Sequence, residues 1–177
     1  PTSFYSQIPN AKSGTGIITC ETYSGDTLLG TKTSSFTATT NESLCKPILS
    51  PKVEDSNSIA IGVTGNKNTL IIYFSDAAIT TGAAARNSAT LVSQKVTCGS
   101  KSITTSSGTI EDVESGTFTF TATDSRGYST TQTVTKDIIN YINPTCNLNI
   151  SNPTTDGNLS FTITGNYYNG SFGAVNN

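Results

Sequence analysis

Five side chains near one end of the 177-residue chain bring aromatic rings and amides together. They are Asn166, Tyr167, Tyr168, Asn169 and Phe172, set around a glycine-containing turn. Aromatic faces beside Asn amides can stack on sugar rings and hydrogen-bond their hydroxyls, so they are candidate glycan contacts. The same residues also read as strand, with Tyr167 or Tyr168 in the core of an incomplete β unit. Other reactive types are spaced less suggestively. Glu111-Asp112 with Glu114, and Glu54-Asp55, could be imagined as acid/base or calcium groups. No loop carries Asp at alternate positions, so both read as solvated strand-end charge. Ser43-Leu44-Cys45-Lys46 is a bare Ser-x-x-Lys followed at once by Pro47, without the partner triplets that motif needs.

Composition narrows the chemistry further. The chain has no His, Met or Trp. Lacking histidine removes the usual general base at neutral pH and the commonest metal ligand. A net charge of −2 with 12 % charged residues leaves no basic footprint for nucleic acid or an anionic membrane. No run approaches the length of a membrane-spanning helix. No catalytic, metal or cofactor site is expected. The four Asn-x-Ser/Thr sequons, at Asn41, Asn149, Asn158 and Asn169, are at the level chance gives in such a chain.

Thr, Ser and Asn number 32, 23 and 16, a composition that favours strands over helices. The clearest element runs from Gly116 to Thr135. Phe118, Phe120 and Ala122 alternate with threonines, then Asp124-Ser125-Arg126-Gly127 makes a turn, and alternation resumes from Tyr128. This predicts a β-hairpin in which Asp124 bonds backbone two residues on and Gly127 takes positive φ. Arg126 should pair with an acidic neighbour or lie in solvent. Ile59, Ile61 and Val63 alternate with small residues and predict a strand ending at the Thr64-Gly65-Asn66 turn. Leu70 to Phe74 reads as a central strand, and Gly82 to Asn87 as a bend or one helical turn. Thr90 to Cys98 predicts a strand with Val92, Val96 and Cys98 in one phase, followed by short strands at 103–105 and 109–113. The cysteines, Cys20, Cys45, Cys98 and Cys146, read as small buried hydrophobes, with a Cys20–Cys45 disulfide as the alternative.

Internal echoes suggest modules. Phe36-Thr37-Ala38-Thr39 recurs as Phe120-Thr121-Ala122-Thr123 and again as Phe161-Thr162-Ile163-Thr164. Pro47 and Pro144 lie 97 residues apart, close to the length of an immunoglobulin-type sandwich. The expected fold is all-β, with immunoglobulin-like β-sandwich modules in tandem. One complete module would occupy 46–142. Residues 1–45 would be the last strands of a preceding module, and 143–177 the first strands of a following one. The start, Pro1-Thr2-Ser3, shows neither an initiator Met nor a secretory signal, so the expectation is a fragment or processed product. The parent chain would continue beyond both flanks, or the flanks would pair with each other or with another subunit.

Several runs carry a family resemblance. Ile18-Thr19-Cys20-Glu21-Thr22-Tyr23-Ser24-Gly25, Leu70-Ile71-Ile72-Tyr73-Phe74-Ser75, Ser93-Gln94-Lys95-Val96, Gly116 through Gly127, and Gly165-Asn166-Tyr167-Tyr168-Asn169-Gly170-Ser171-Phe172 resemble immunoglobulin-like repeats. The repeats are those of minor structural tail proteins of long-tailed phages infecting Gram-positive bacteria. The resemblance implies a non-enzymatic place in the virion tail, at tip or fibre, and a role in host attachment. Its partners would be other tail subunits and host cell-wall glycan. A stalk of a bacterial cell-surface adhesin and a carbohydrate-binding accessory module of a cell-wall enzyme stand as alternatives.

Overall fold

The computed structural model describes residues 2–151 and 155–175. Pro1 of the first expected flank, and 152–154 and 176–177 of the last, lie outside them. The chain begins with a short helix, α1 (Thr2–Tyr5), then a long antiparallel ribbon of β1 (Ser13–Ser24) and β2 (Thr27–Thr39). A four-residue helix, α2 (Glu42–Cys45), leads into the core-bearing part. There the order is β3 (Lys52–Asp55), α3 (Ser58–Thr64), β4 (Thr69–Ile71), β5 (Ala77–Thr80), β6 (Leu91–Cys98), β7 (Lys101–Ile103), β8 (Ser107–Ile110), β9 (Thr117–Asp124), β10 (Ser129–Thr135) and β11 (Asp137–Ile139). A second ribbon, β12 (Thr145–Ile150) and β13 (Phe161–Asn166), follows.

The protein is all-β in class. A three-stranded sheet, β3-β5-β8, and a four-stranded sheet, β10-β9-β6-β7, supply one shared core, and β4 pairs with β11 in parallel beside them. Val53, Ala77, Ile79 and Ile110 enter that core from the first sheet, and Val96, Cys98, Phe118 and Phe120 from the second. The period-2 pattern is the cause: every second residue of β9 is buried while its threonines face outward. Strand β6 follows the same rule only in part. A register shift between Leu91 and Ser93 takes Val92 out of phase and leaves it exposed, whereas Val96 and Cys98 are buried.

Several sequence expectations are corrected here. The segment with Ile59, Ile61 and Val63 is helix α3, not a strand. The Asn57 side chain accepts hydrogen bonds from the backbone N–H groups of Ile59 and Ala60, and Gly65 closes the helix in the left-handed conformation at φ 68°. Both end signals are helical ones, and they outweigh the short alternation between them. Ala60 and Thr64, four residues apart, are buried, and Ile59 is exposed. The expected central strand at 70–74 stops at Ile71. The Ser75 hydroxyl accepts from the Ile71 N–H at 2.7 Å, the Ser75 N–H donates to the Ile71 carbonyl, and Tyr73 turns to φ 57°. The 82–87 stretch is not a helical turn: Ala84 forms an antiparallel bridge with Ile48. The strands expected at 103–105 and 109–113 lie a few residues earlier, as β7 and β8.

The cysteines divide. Cys45 and Cys98 are buried, Cys20 and Cys146 are exposed on the ribbons, and all four are free thiols. The Cys20–Cys45 pairing is therefore not made. Cys20 and Cys146 are not core residues because a two-stranded ribbon has no second layer to cover either face. Burial pushes the Cys98 thiol above its ordinary range, and its S–H donates to the Ser115 carbonyl at 3.1 Å.

Helix α3 hangs on its cap. Asn57 also donates to the Phe74 carbonyl at 3.0 Å and to the Asp76 carboxylate at 3.1 Å, joining the helix to the turn after β4. Asn57→Ala is expected to lower the unfolding free energy by about 1–2 kcal/mol, measured by denaturant titration. An unchanged midpoint would contradict the capping role.

Candidate functional site

The chemistry-bearing residues fall at the two ends of the core-bearing part. At one end is the β9–β10 turn. Asp124 Oδ1 accepts the backbone N–H of Arg126 at 3.0 Å and of Tyr128 at 2.9 Å, and Gly127 sits at φ 81°. That much matches the turn chemistry read from the residues. Of the two surroundings expected for Arg126, an acidic neighbour is found and solvent is not: the residue is only 4 % exposed. Its guanidinium lies 3.7 Å from Asp124 Oδ2 and donates to four carbonyls, those of Tyr5, Ile8, Arg86 and Asn87. The bonds to Ile8 (2.7 Å) and Tyr5 (2.9 Å) reach well over a hundred positions back along the chain.

Further contacts complete the joint. The Ser125 hydroxyl donates to the Pro9 carbonyl at 2.6 Å, and the Tyr128 hydroxyl donates to the Thr40 carbonyl at 3.1 Å. The Lys12 ammonium stands 4.9 Å from the centre of the Tyr128 ring, within cation–π reach. The base of the β1–β2 ribbon, where β1 begins and β2 ends, is thus tied to one hairpin turn. Asp124 Oδ2 is buried without a hydrogen bond; the adjacent guanidinium charge is what makes that tolerable.

At the other end, Tyr141, just after β11, faces Tyr168 and Phe172. Ring centres lie 6.0 Å apart for Tyr141–Tyr168, 5.9 Å for Tyr141–Phe172 and 4.8 Å for Tyr168–Phe172. With Pro144 and Tyr167 these rings line an open cleft of about 570 Å³. Tyr141 and Phe172 also line a smaller apolar cavity of about 150 Å³ with Ile59, Val63, Ile71 and Phe74. The backbone N–H groups of Ala174 and Val175 both donate to the Val63 carbonyl at 3.1 Å, so the final segment is anchored on α3. A Cβ at position 170 would lie 2.3 Å from the Tyr168 hydroxyl, so a larger residue there would displace that ring.

The structure therefore brings together Tyr167, Tyr168 and Phe172 of the predicted contacts. Tyr167 is 69 % exposed on the cleft wall, and Tyr168 and Phe172 are half-buried in the aromatic packing. Asn166 and Asn169 are exposed and do not line the cleft; the Asn166 N–H donates to the Thr145 hydroxyl at 3.1 Å, continuing the ribbon. Sequence reasoning missed Tyr141, whose only signal was an aromatic in the short link before Pro144. The arrangement offers stacking surfaces with few fixed hydrogen-bonding groups.

The remaining candidates are occupied structurally. The Ser43 hydroxyl donates to Asn41 Oδ1 at 2.7 Å inside the α2 cap. Asp55 is a correction. It is buried, not a solvated strand end, and accepts the Asn57 N–H at 2.9 Å and the Ser75 hydroxyl at 2.5 Å. Glu54 is exposed. Glu111, Asp112 and Glu114 do not converge. Glu114 accepts the Ser100 N–H (2.8 Å) and hydroxyl (2.7 Å), Lys101 reaches the Glu111 carbonyl, and the Asp112 N–H donates to Asp76. Among the described residues, no three His, Cys, Asp or Glu side chains form a group that could hold a metal ion.

A known family covers most of this chain. The family described as siphovirus protein of unknown function (DUF859) matches residues 1–164. The chain belongs to that family, and is a siphovirus protein. No curated protein matches it.

Two predictions come from these contacts. Arg126→Met removes the donors to Tyr5 and Ile8 and leaves Asp124 buried alone, a change that costs about 3–5 kcal/mol. Amide hydrogen exchange should speed up across residues 5–12 and the β9–β10 turn, and proteolysis should release the β1–β2 arm first. Unaltered exchange at the arm would contradict the joint. The Ser100 hydroxyl and N–H hold the Glu114 carboxyl below its usual range. Its stabilising effect is therefore complete above the ordinary carboxylate range and lost as pH falls through the lowered value. Glu114→Gln should unfold at lower temperature than the parent chain at neutral pH and converge with it in strong acid. A gap independent of pH would exclude the carboxylate as the cause.

Proposed function

We propose that the chain is a non-enzymatic structural and adhesion component of the siphovirus tail, at its tip or fibre, contributing to attachment to the host surface. In this reading residues 46–142 are an immunoglobulin-like sandwich, 1–45 the last strands of a preceding module, and 143–177 the first strands of a following one. The observation that carries the proposal is the placement of two extended ribbons at opposite ends of one cored unit, each fixed by its own joint. Stiff units in series hold a surface at a distance from the particle, and many weak contacts along an array add through effective concentration. Membership of a siphovirus family supports the setting.

The contact surface in this reading is the aromatic cleft, with Tyr167 as the side chain free to stack on a host cell-wall glycan. Neighbouring tail subunits are the other partners. Nucleic acid and membrane insertion play no part in the reading, and no cofactor enters it.

Gold-labelled antibody raised against the chain should decorate the distal tail of intact virions. Label confined to the capsid, or absent from purified particles, would contradict the proposal. Tyr167→Ala should weaken retention on host cell-wall polysaccharide several-fold, as stacking loses roughly 1 kcal/mol, and should leave the unfolding temperature unchanged because the ring is exposed. Equal retention by both proteins would remove the cleft from the account and leave the tail location standing.

A further inference from the structure

The β1–β2 ribbon carries exposed apolar groups on both faces. Strand residues alternate sides, and directly paired residues share one. The pairings Ile18–Ser34, Cys20–Lys32 and Gly16–Phe36 put Ile18, Phe36 and Lys32 on one face. The pairings Ile17–Ser35, Glu21–Thr31 and Tyr23–Leu28 put Ile17, Glu21 and Tyr23 on the other. Ile17 is 69 %, Ile18 59 % and Tyr23 54 % exposed. Ile8 lies against Gly14 at the base of the ribbon; beyond that contact both faces are uncovered, and a two-stranded ribbon of that kind is marginal in water. Its outer edges, 12 and 13 residues long, contain no proline, and the two strands carry one charge each, Glu21 and Lys32. Free edges that long are normally guarded by more charge or by proline.

From this we infer that the occupant is a second copy of the same chain, seated ribbon on ribbon with unlike faces in contact. The charges argue for this pairing. Cys20 is opposite Lys32 and Glu21 is opposite Thr31, so Glu21 and Lys32 stand one residue apart along the ribbon and on opposite sides. Stacking the Lys32 face of one copy on the Glu21 face of the next, in the same direction, sets each lysine beside a glutamate. The same step sets Ile18 against Ile17. Two Lys32 faces or two Glu21 faces stacked in the same direction would instead bring like charges together.

Twelve residue pairs at ~3.3 Å rise make a ribbon roughly 40 Å long, and each face covers on the order of 400 Å². Each contact between two copies therefore buries about half of what a standard interface takes from a partner, so a single contact is weak and the assembly builds up only at high concentration. Contact between unlike faces is heterologous, so it closes into a ring or propagates rather than stopping at a two-fold dimer.

Sedimentation velocity of the purified chain tests this across concentration. An assembly larger than a dimer is expected. Lys32→Glu should raise its dissociation constant roughly tenfold or more, Glu21→Lys combined with Lys32→Glu should restore it, and Ile18→Asp should abolish it. The unfolding transition of the core reports that each variant is folded, since these side chains lie outside it. Cys20 should react more slowly with a thiol reagent in the assembly than in the Ile18→Asp protein. A monomer at every concentration would overturn the inference and point to a different protein as the occupant. An assembly indifferent to Lys32→Glu and Ile18→Asp would overturn it equally.

Discussion

Arg126 is a fixed cation whose N–H donors need partners once it leaves water. Here four backbone carbonyls accept from it and the Asp124 carboxylate stands 3.7 Å away as counter-charge, and two of the carbonyls belong to the segment that introduces the β1–β2 arm. The direction of that arm follows from this arrangement. A neutral side chain would leave Asp124 buried without a counter-charge, and a lysine could not reach several carbonyls from one planar fork. The joint is polar, directional and buried, and such contacts set geometry more than they add stability.

The opposite joint uses different physics. Tyr141, Tyr168 and Phe172 meet as tilted and edge-on rings, and the last residues hydrogen-bond to the end of α3. Helix α3, anchored by Asn57, is thus the platform for the C-terminal segment. An aromatic joint of this kind tolerates small rotations that the Arg126 socket does not. The two ends of the core differ accordingly: one is keyed by hydrogen bonds, the other packed by ring surfaces, one of which leaves Tyr167 in solvent.

Much of the β architecture was legible in local alternation. The β9–β10 hairpin could be read residue by residue, because Phe118, Phe120 and Ala122 share one face and Asp124 and Gly127 are turn residues for stated physical reasons. Helix α3 was misread because Ile59, Ile61 and Val63 mimic a strand over a window too short for either period to dominate; Asn57 and Gly65, the cap signals, were there to be weighed. The burial of Arg126 was not legible, since its partners Tyr5 and Ile8 contribute only carbonyl oxygens, which every residue has. Cys20 and Cys146 looked like core by phase, but phase cannot reveal whether a second layer exists. Of the candidate glycan contacts, the grouping of Tyr167, Tyr168 and Phe172 was visible in their spacing, whereas Tyr141 reaches them only through the fold.

The account rests on both ribbons being held at fixed angles to one core, and the exposed thiols at Cys20 and Cys146 report on it directly, one on each ribbon. Spin labels placed there, with the buried Cys45 and Cys98 left unmodified and labelled chain diluted in unlabelled chain, yield the distance distribution between the arms. A single narrow distribution that broadens in Arg126→Met is the predicted result. A broad distribution in the parent chain, or one that Arg126→Met leaves unchanged, would contradict it.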